Sequence, residues 1–275
     1  MIEVCRWFLV FVLYSFLGWL CETIFCSVPA RKFVNRGMLM GPFCPIYGFG
    51  ALLVIALLMP VADTLWLLYI CGVLVTSVLE YLVGFGLERL FHMKWWDYSD
   101  HKLQLHGRVC LTNSLLFGLL VVVVMRFVHP FVWRMVGGIA VSVLPWLSLA
   151  VYTYFVADTV ITVHSILQLN GKLQQMHDIV EELKAKSIEY KDVLQQNIGG
   201  QVDRIFAMRP EEWIAAGQVR AAMLLERMKE LESVNKPLHN RILHAFPHMR
   251  STRYQSALAQ LKGAIEARKK RKKQD

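Results

Sequence analysis

Long apolar runs separated by short polar stretches fill residues 1–163, and the pattern changes abruptly after them. A helix needs about 20 mostly apolar residues to cross roughly 30 Å of bilayer hydrocarbon. Five runs meet or approach that length: residues 7–28, 45–62, 65–90, 109–131 and 136–160. The second is short, and the stretch before it, "KFVNRGMLMGPFCPIYGFGA", has glycines that permit close backbone approach and prolines that delay a regular helix. It is a candidate re-entrant loop, since irregular backbone is tolerated at membrane depth where it is buried in protein or lines water.

From His164 onward the apolar positions thin out and fall into step. Ile166, Leu169, Leu173, Met176, Val180, Leu183, Tyr190 and Leu194 step by three and four apart from one longer interval, which predicts one continuous stripe as in a coiled coil or a helical hairpin and makes a homo-oligomer possible. A break is expected at Gly199 and Gly200, a second helix from Pro210 to near Asn235, and a third from about Ser251 through Leu258 and Leu261. The predicted architecture is all-α. A five-helix transmembrane bundle (1–163) precedes a cytoplasmic helical tail (164–267) and a basic, disordered C-terminus (268–275).

Composition and charge sharpen this division. Over 275 residues, 55% are hydrophobic and the mean hydropathy is +0.40, outside the range of a soluble domain. Up to Val163 there are ten Lys and Arg against eight Asp and Glu; from His164 there are twenty against thirteen. Short basic loops stay in the cytoplasm. Arg31, Lys32 and Arg36 in the first loop, with Arg89, Lys94, Lys102 and Arg108 in the third, outweigh Arg6, Arg126 and Arg134 on the other side. Five spans then place the N-terminus outside and the tail inside, as expected for a multi-pass protein of the cell membrane.

That orientation gathers one polar residue from each span on the cytoplasmic side: Glu22, Tyr47, Glu80, Asn113 and Asp158. A carboxylate within a span costs at least about 2.5–3.5 kcal/mol near the helix centre, so it faces a bundle interior or a wet cavity. Glu22 and Glu80 either lock helices together by hydrogen bonding or bind a substrate, ion or proton. Asp158 lies so near the boundary that solvation accounts for it. Lys32, Asn35 and Arg36 enter the same layer from the first loop, while Asp97 and Arg108 approach it from the third.

Other chemistry is not marked. The six cysteines lie in or beside spans without a C-x-x-C pair, and no His or Asp spacing in the third loop matches a compact metal motif, so neither metal nor cofactor is expected. Trp95, Trp96 and Tyr98 read as interfacial anchors. There is no G-x-x-x-x-G-K-[ST], G-x-S-x-G or H-E-x-x-H pattern, so the chain is not expected to hydrolyse ATP by itself and no enzyme class is indicated. The final "RKKRKK" suits anionic lipid better than nucleic acid, because it lacks interleaved aromatics.

The blocks "YSFLGWLCETIF", "KFVNRGMLMGPFCPIYGFGA", "LEYLVGFGLERLF", "WWDYSD", "GRVCLTNSLLFG" and "ILHAFPHMRSTRYQSALAQLK" resemble the putative ABC-transporter type IV family of bacterial multi-pass proteins. By that resemblance Glu22, Lys32, Asn35, Arg36, Gly37, Gly41, Pro42, Pro45, Tyr47, Gly48, Glu80, Trp96, Asp97, Tyr98 and Arg108 occupy motif positions. The chain departs from the family pattern in "LQLHGR", where the family carries Asn before the Gly. The resemblance implies a permease-like transport component that works with a separate ATPase subunit. Two other roles fit the residues: a membrane enzyme acting on a lipid or lipid-linked substrate, with Arg36 and Arg108 on a phosphate, and a scaffold acting through its tail.

Overall fold

The computed structural model describes residues 1–196, 222–224, 226–228, 230–231 and 237–271. It is mostly helical and divides into two compact units, Met1–Ile166 with Arg241–Thr252, and Leu167–Asn240 with Arg253–Asp275. The helix expected from Pro210 and the break at Gly199 and Gly200 lie outside the described residues or largely so.

The first unit begins with α1 (Ile2–Ala30), which ends where Arg31 turns left-handed at φ 47° and its N–H reaches Ser27 O and Val28 O. An irregular loop follows, and α2 (Pro45–Leu58) starts on Pro45, whose missing N–H costs nothing at a first helical position. A 3₁₀ turn (Met59–Val61) leads into α3 (Leu65–Phe91), ended by His92 at φ 52°. After the third loop come α4 (Leu111–Val123), a π-helical turn (Val124–Val128) and α5 (His129–Gly137). Pro130 cannot donate to the carbonyl one turn earlier, and the ladder widens just before it. Next comes α6 (Leu144–Gln196), which runs unbroken through the predicted boundary at residue 163.

Four helices are long and apolar enough to cross a membrane: Ile2–Ala30, Leu65–Phe91, Leu111–Gly137 and Leu144–Leu183. Pro45–Val61, expected as a fifth span, is a shorter apolar helix. α1 packs on α2, α2 on α3, and α3 on α4. Their shared core includes Val10, Val54, Ile55, Leu68 and Val121, joined by Val132 and Val136 of α5. Outward positions are equally apolar: Trp66, Leu74, Phe127 and Trp146 are all exposed. Helices apolar on every side are those that face lipid rather than water.

Short strands build the loop end. β1 (Met93–Lys94) pairs antiparallel with β4 (Arg250–Ser251), in register Met93 to Ser251 and Lys94 to Arg250. β2 (Gln104–Leu105) pairs with β3 (Val109–Cys110) as a hairpin. Its turn puts both His106 and Gly107 at positive φ, 54° and 70°, with Arg108 N–H bonded to Leu105 O. Asn-Gly is the favoured pair for such a turn, and here His106 holds the place that Asn favours.

In the second unit the first part of the expected apolar stripe is buried: Leu169, Leu173 and Met176 have no exposure. Ile179 clusters with Leu224 and Met228. α7 (Pro237–Ala245) passes from this unit back to the first, and α8 (Gln255–Arg271) buries Leu258 and Leu261, so the expected third helix starts four residues later than about Ser251.

Candidate functional site

Close contact of α1 with α2 positions the first carboxylate. A β-carbon on Gly18 would lie 2.2 Å from the Tyr47 ring, so glycine there admits the tyrosine. The Tyr47 hydroxyl then donates to Glu22 Oε1 at 2.8 Å. Glu22 Oε2 stands 3.8 Å from Arg36 Nε, a loose ion pair between partly exposed groups. Asn35, one residue earlier, accepts from Trp19 Nε1 at 2.7 Å and so fastens the loop to α1.

The second carboxylate is deeper. Glu80 is 8% exposed; its Oε1 accepts from Tyr98 at 3.1 Å, and its buried Oε2 has no hydrogen-bond partner among the described residues. Tyr98 in turn accepts from Asn113 Nδ2 at 2.6 Å. Burial, with the Glu80 carboxyl beside it, holds the Tyr98 phenol well above the ordinary tyrosine range, which keeps it a donor. Each carboxylate is therefore capped by one tyrosine.

The loop between α1 and α2 is held from three sides. Asp158 of α6 accepts from the N–H of Met40 and of Gly41, each at 2.8 Å, and from Thr162 Oγ1 at 3.2 Å. Leu39 is 2% exposed. Arg241 donates to Gly37 O at 3.1 Å and Met38 O at 2.6 Å, while Arg36 donates to Ala245 O and lies 5.0 Å from the Phe246 ring centre. Phe246 meets Trp95 edge to face at 4.9 Å, and Thr252 bonds His92 O through both N–H and hydroxyl.

Predicted residues thus fall into different places. Glu22, Arg36 and Tyr47 come together, as do Glu80 and Asn113. Arg108 instead directs Nε and Nη2 at Glu88 Oε2, at 3.0 and 2.6 Å, and passes over Tyr81 and Phe85. Asp97 faces Arg250 at 2.9 Å. Burial opposes its ionisation, but the Ser99 hydroxyl and N–H and the charges of Arg250 and Lys94 together hold its carboxyl below the usual aspartate value. Lys32 is exposed, its N–H on Ser27 O. Trp95 is a 3% exposed core residue rather than an interfacial anchor, and Tyr98 is a ligand of Glu80.

Sequence reasoning missed two anchors. Asp158 is a loop holder, not a solvated boundary residue. Arg241 immediately precedes the resembling tail block, which was the available signal.

A family model described as Putative ABC-transporter type IV matches residues 9–163, more than half of the chain and all the elements that carry these carboxylates. The chain belongs to that family. Neither curated proteins nor solved structures gave a match. Within the type IV region lie both Glu–Tyr pairs and Asp158, whereas Arg241 and Phe246, which grip its first loop, come from beyond it.

Proposed function

We propose that the chain is a permease-like component of a transport system, in which Glu22 and Glu80 bind a cation or proton and loop 31–44 forms the gate. Glu80 carries this reading. A buried carboxyl oxygen without a partner is costly, and a bound proton or small cation would satisfy it. Membership of the type IV family supports transport, and the lack of a P-loop calls for a separate ATPase subunit. The proposed membrane arrangement has five spans: α2 and its 3₁₀ turn, 17 residues and roughly 25 Å, serve as the fifth with help from the loop. The basic loops then put the N-terminus outside and the tail in the cytoplasm. An enzyme holding a lipid phosphate is less supported, because Arg108 is engaged by Glu88 and Arg36 by Ala245 O.

Carbodiimide labelling of the full chain in lipid vesicles tests this directly. Glu80 is expected to react, and the reaction to be suppressed by raised pH or by the bound cation. A Glu80 that stays unlabelled at every pH and salt condition, in protein whose exposed Glu3 reacts, would sink the proposal.

A further inference from the structure

Residues Arg241–Thr252 belong to the first unit, yet the residues on both sides of them belong to the second. This segment touches the gate loop through a group that also serves the site. Arg36 is shared: its Nη1 is taken by Ala245 O and its face by Phe246, while its Nε remains 3.8 Å from Glu22. That bond and the Phe246 contact fix the guanidinium plane, leaving Nε 3.8 Å from Glu22 Oε2, beyond hydrogen-bonding distance. We propose that Arg241–Thr252 is a releasable latch: docked, it draws Arg36 away from Glu22; withdrawn, it frees Arg36 to pair with Glu22 and uncovers the loop. A movement of the tail on either side of the segment is thereby transmitted to one carboxylate of the polar layer. The latch rests on Glu22 being a working group of that layer, but its first test reads Cys44, on which the transport proposal does not depend.

Cys44 is 5% exposed, at the end of the latched loop, within electrostatic reach of Arg241 and Glu22. Cys110, 1% exposed at the end of the β2–β3 hairpin, is the internal control. In the full chain in nanodiscs, Phe246→Ala and, separately, Arg250→Glu should raise the alkylation rate of Cys44 about tenfold, the effect of about 1.4 kcal/mol on docking. Cys110 should not change. In the same variants carbodiimide labelling of Glu22 should fall, because the freed Arg36 keeps it ionised, and adding Arg36→Gln should restore it. An unchanged Cys44 rate in both variants overturns the latch. So does a joint rise of Cys44 and Cys110, which reports general loosening, or Glu22 labelling that does not fall. Failure of Glu80 to label would leave these readouts intact and count against the transport proposal alone.

Discussion

Gly18 is where a single added carbon separates packing from chemistry. Its β-carbon would occupy the space of the Tyr47 ring, so Gly18→Ala must push the tyrosine off Glu22 or part the helices. Overpacking of this kind costs about 1–3 kcal/mol. The variant is expected to melt several degrees lower in detergent, and carbodiimide labelling of Glu22 should change while that of Glu80 does not. His106 offers the opposite case. A non-glycine residue at positive φ is disfavoured, and asparagine tolerates that conformation best. His106→Asn should raise the melting temperature slightly, by up to about 1 kcal/mol of stability, partly offset by loss of the 3.2 Å contact with Tyr81.

At the level of elements, loop 31–44 depends on α6 through one side chain. Asp158, 6% exposed, satisfies two loop N–H groups. Asp158→Ala leaves both without that acceptor and should destabilise the protein by about 2–4 kcal/mol, with faster alkylation of Cys44. The outer end of the latch should respond to acid. The folded Asp97 carboxyl is held below its unfolded value, so its contribution is fully present above about pH 4 and lost as pH falls through the lower folded value. Melting temperature should drop as pH falls below about 4, and Asp97→Asn should reduce that drop.

These elements also show what was legible beforehand. Spanning helices announce themselves locally, because each must satisfy its own backbone within one apolar run, and α1, α3 and α4 begin or end within a few residues of the runs that predicted them. Glu22 and Glu80 were legible too, as charges in the wrong solvent. Tyr47 and Arg36 were gathered in the layer with Glu22, but the partner of Glu80 was not: Tyr98 comes from a loop whose aromatics resemble an interfacial belt, and periodicity says nothing of pairings across loops. Arg108 was assigned to the layer for its charge, whereas Glu88, on the same helix as Glu80, holds it.

For the whole molecule, the membrane unit is incomplete without a piece of the tail. Met93 has no exposure and Trp95 very little, and β4 and Phe246 lie against them. A chain ended after Ile166 should therefore elute as aggregates on size exclusion, and the full chain as a single monodisperse peak. Supplying residues 237–252 in trans should restore part of the monodisperse peak.

The distance in sequence between Arg36 and Ala245, 209 residues, has a consequence for biosynthesis. At about 5–20 residues per second, the ribosome delivers the latch roughly 10–40 s after the loop it covers. The spanning helices that follow loop 31–44 are made during that interval, while the loop waits uncovered by the segment 241–252. On the latch proposal, the protein is thus made in its unlatched form, and latching follows synthesis of the spanning helices.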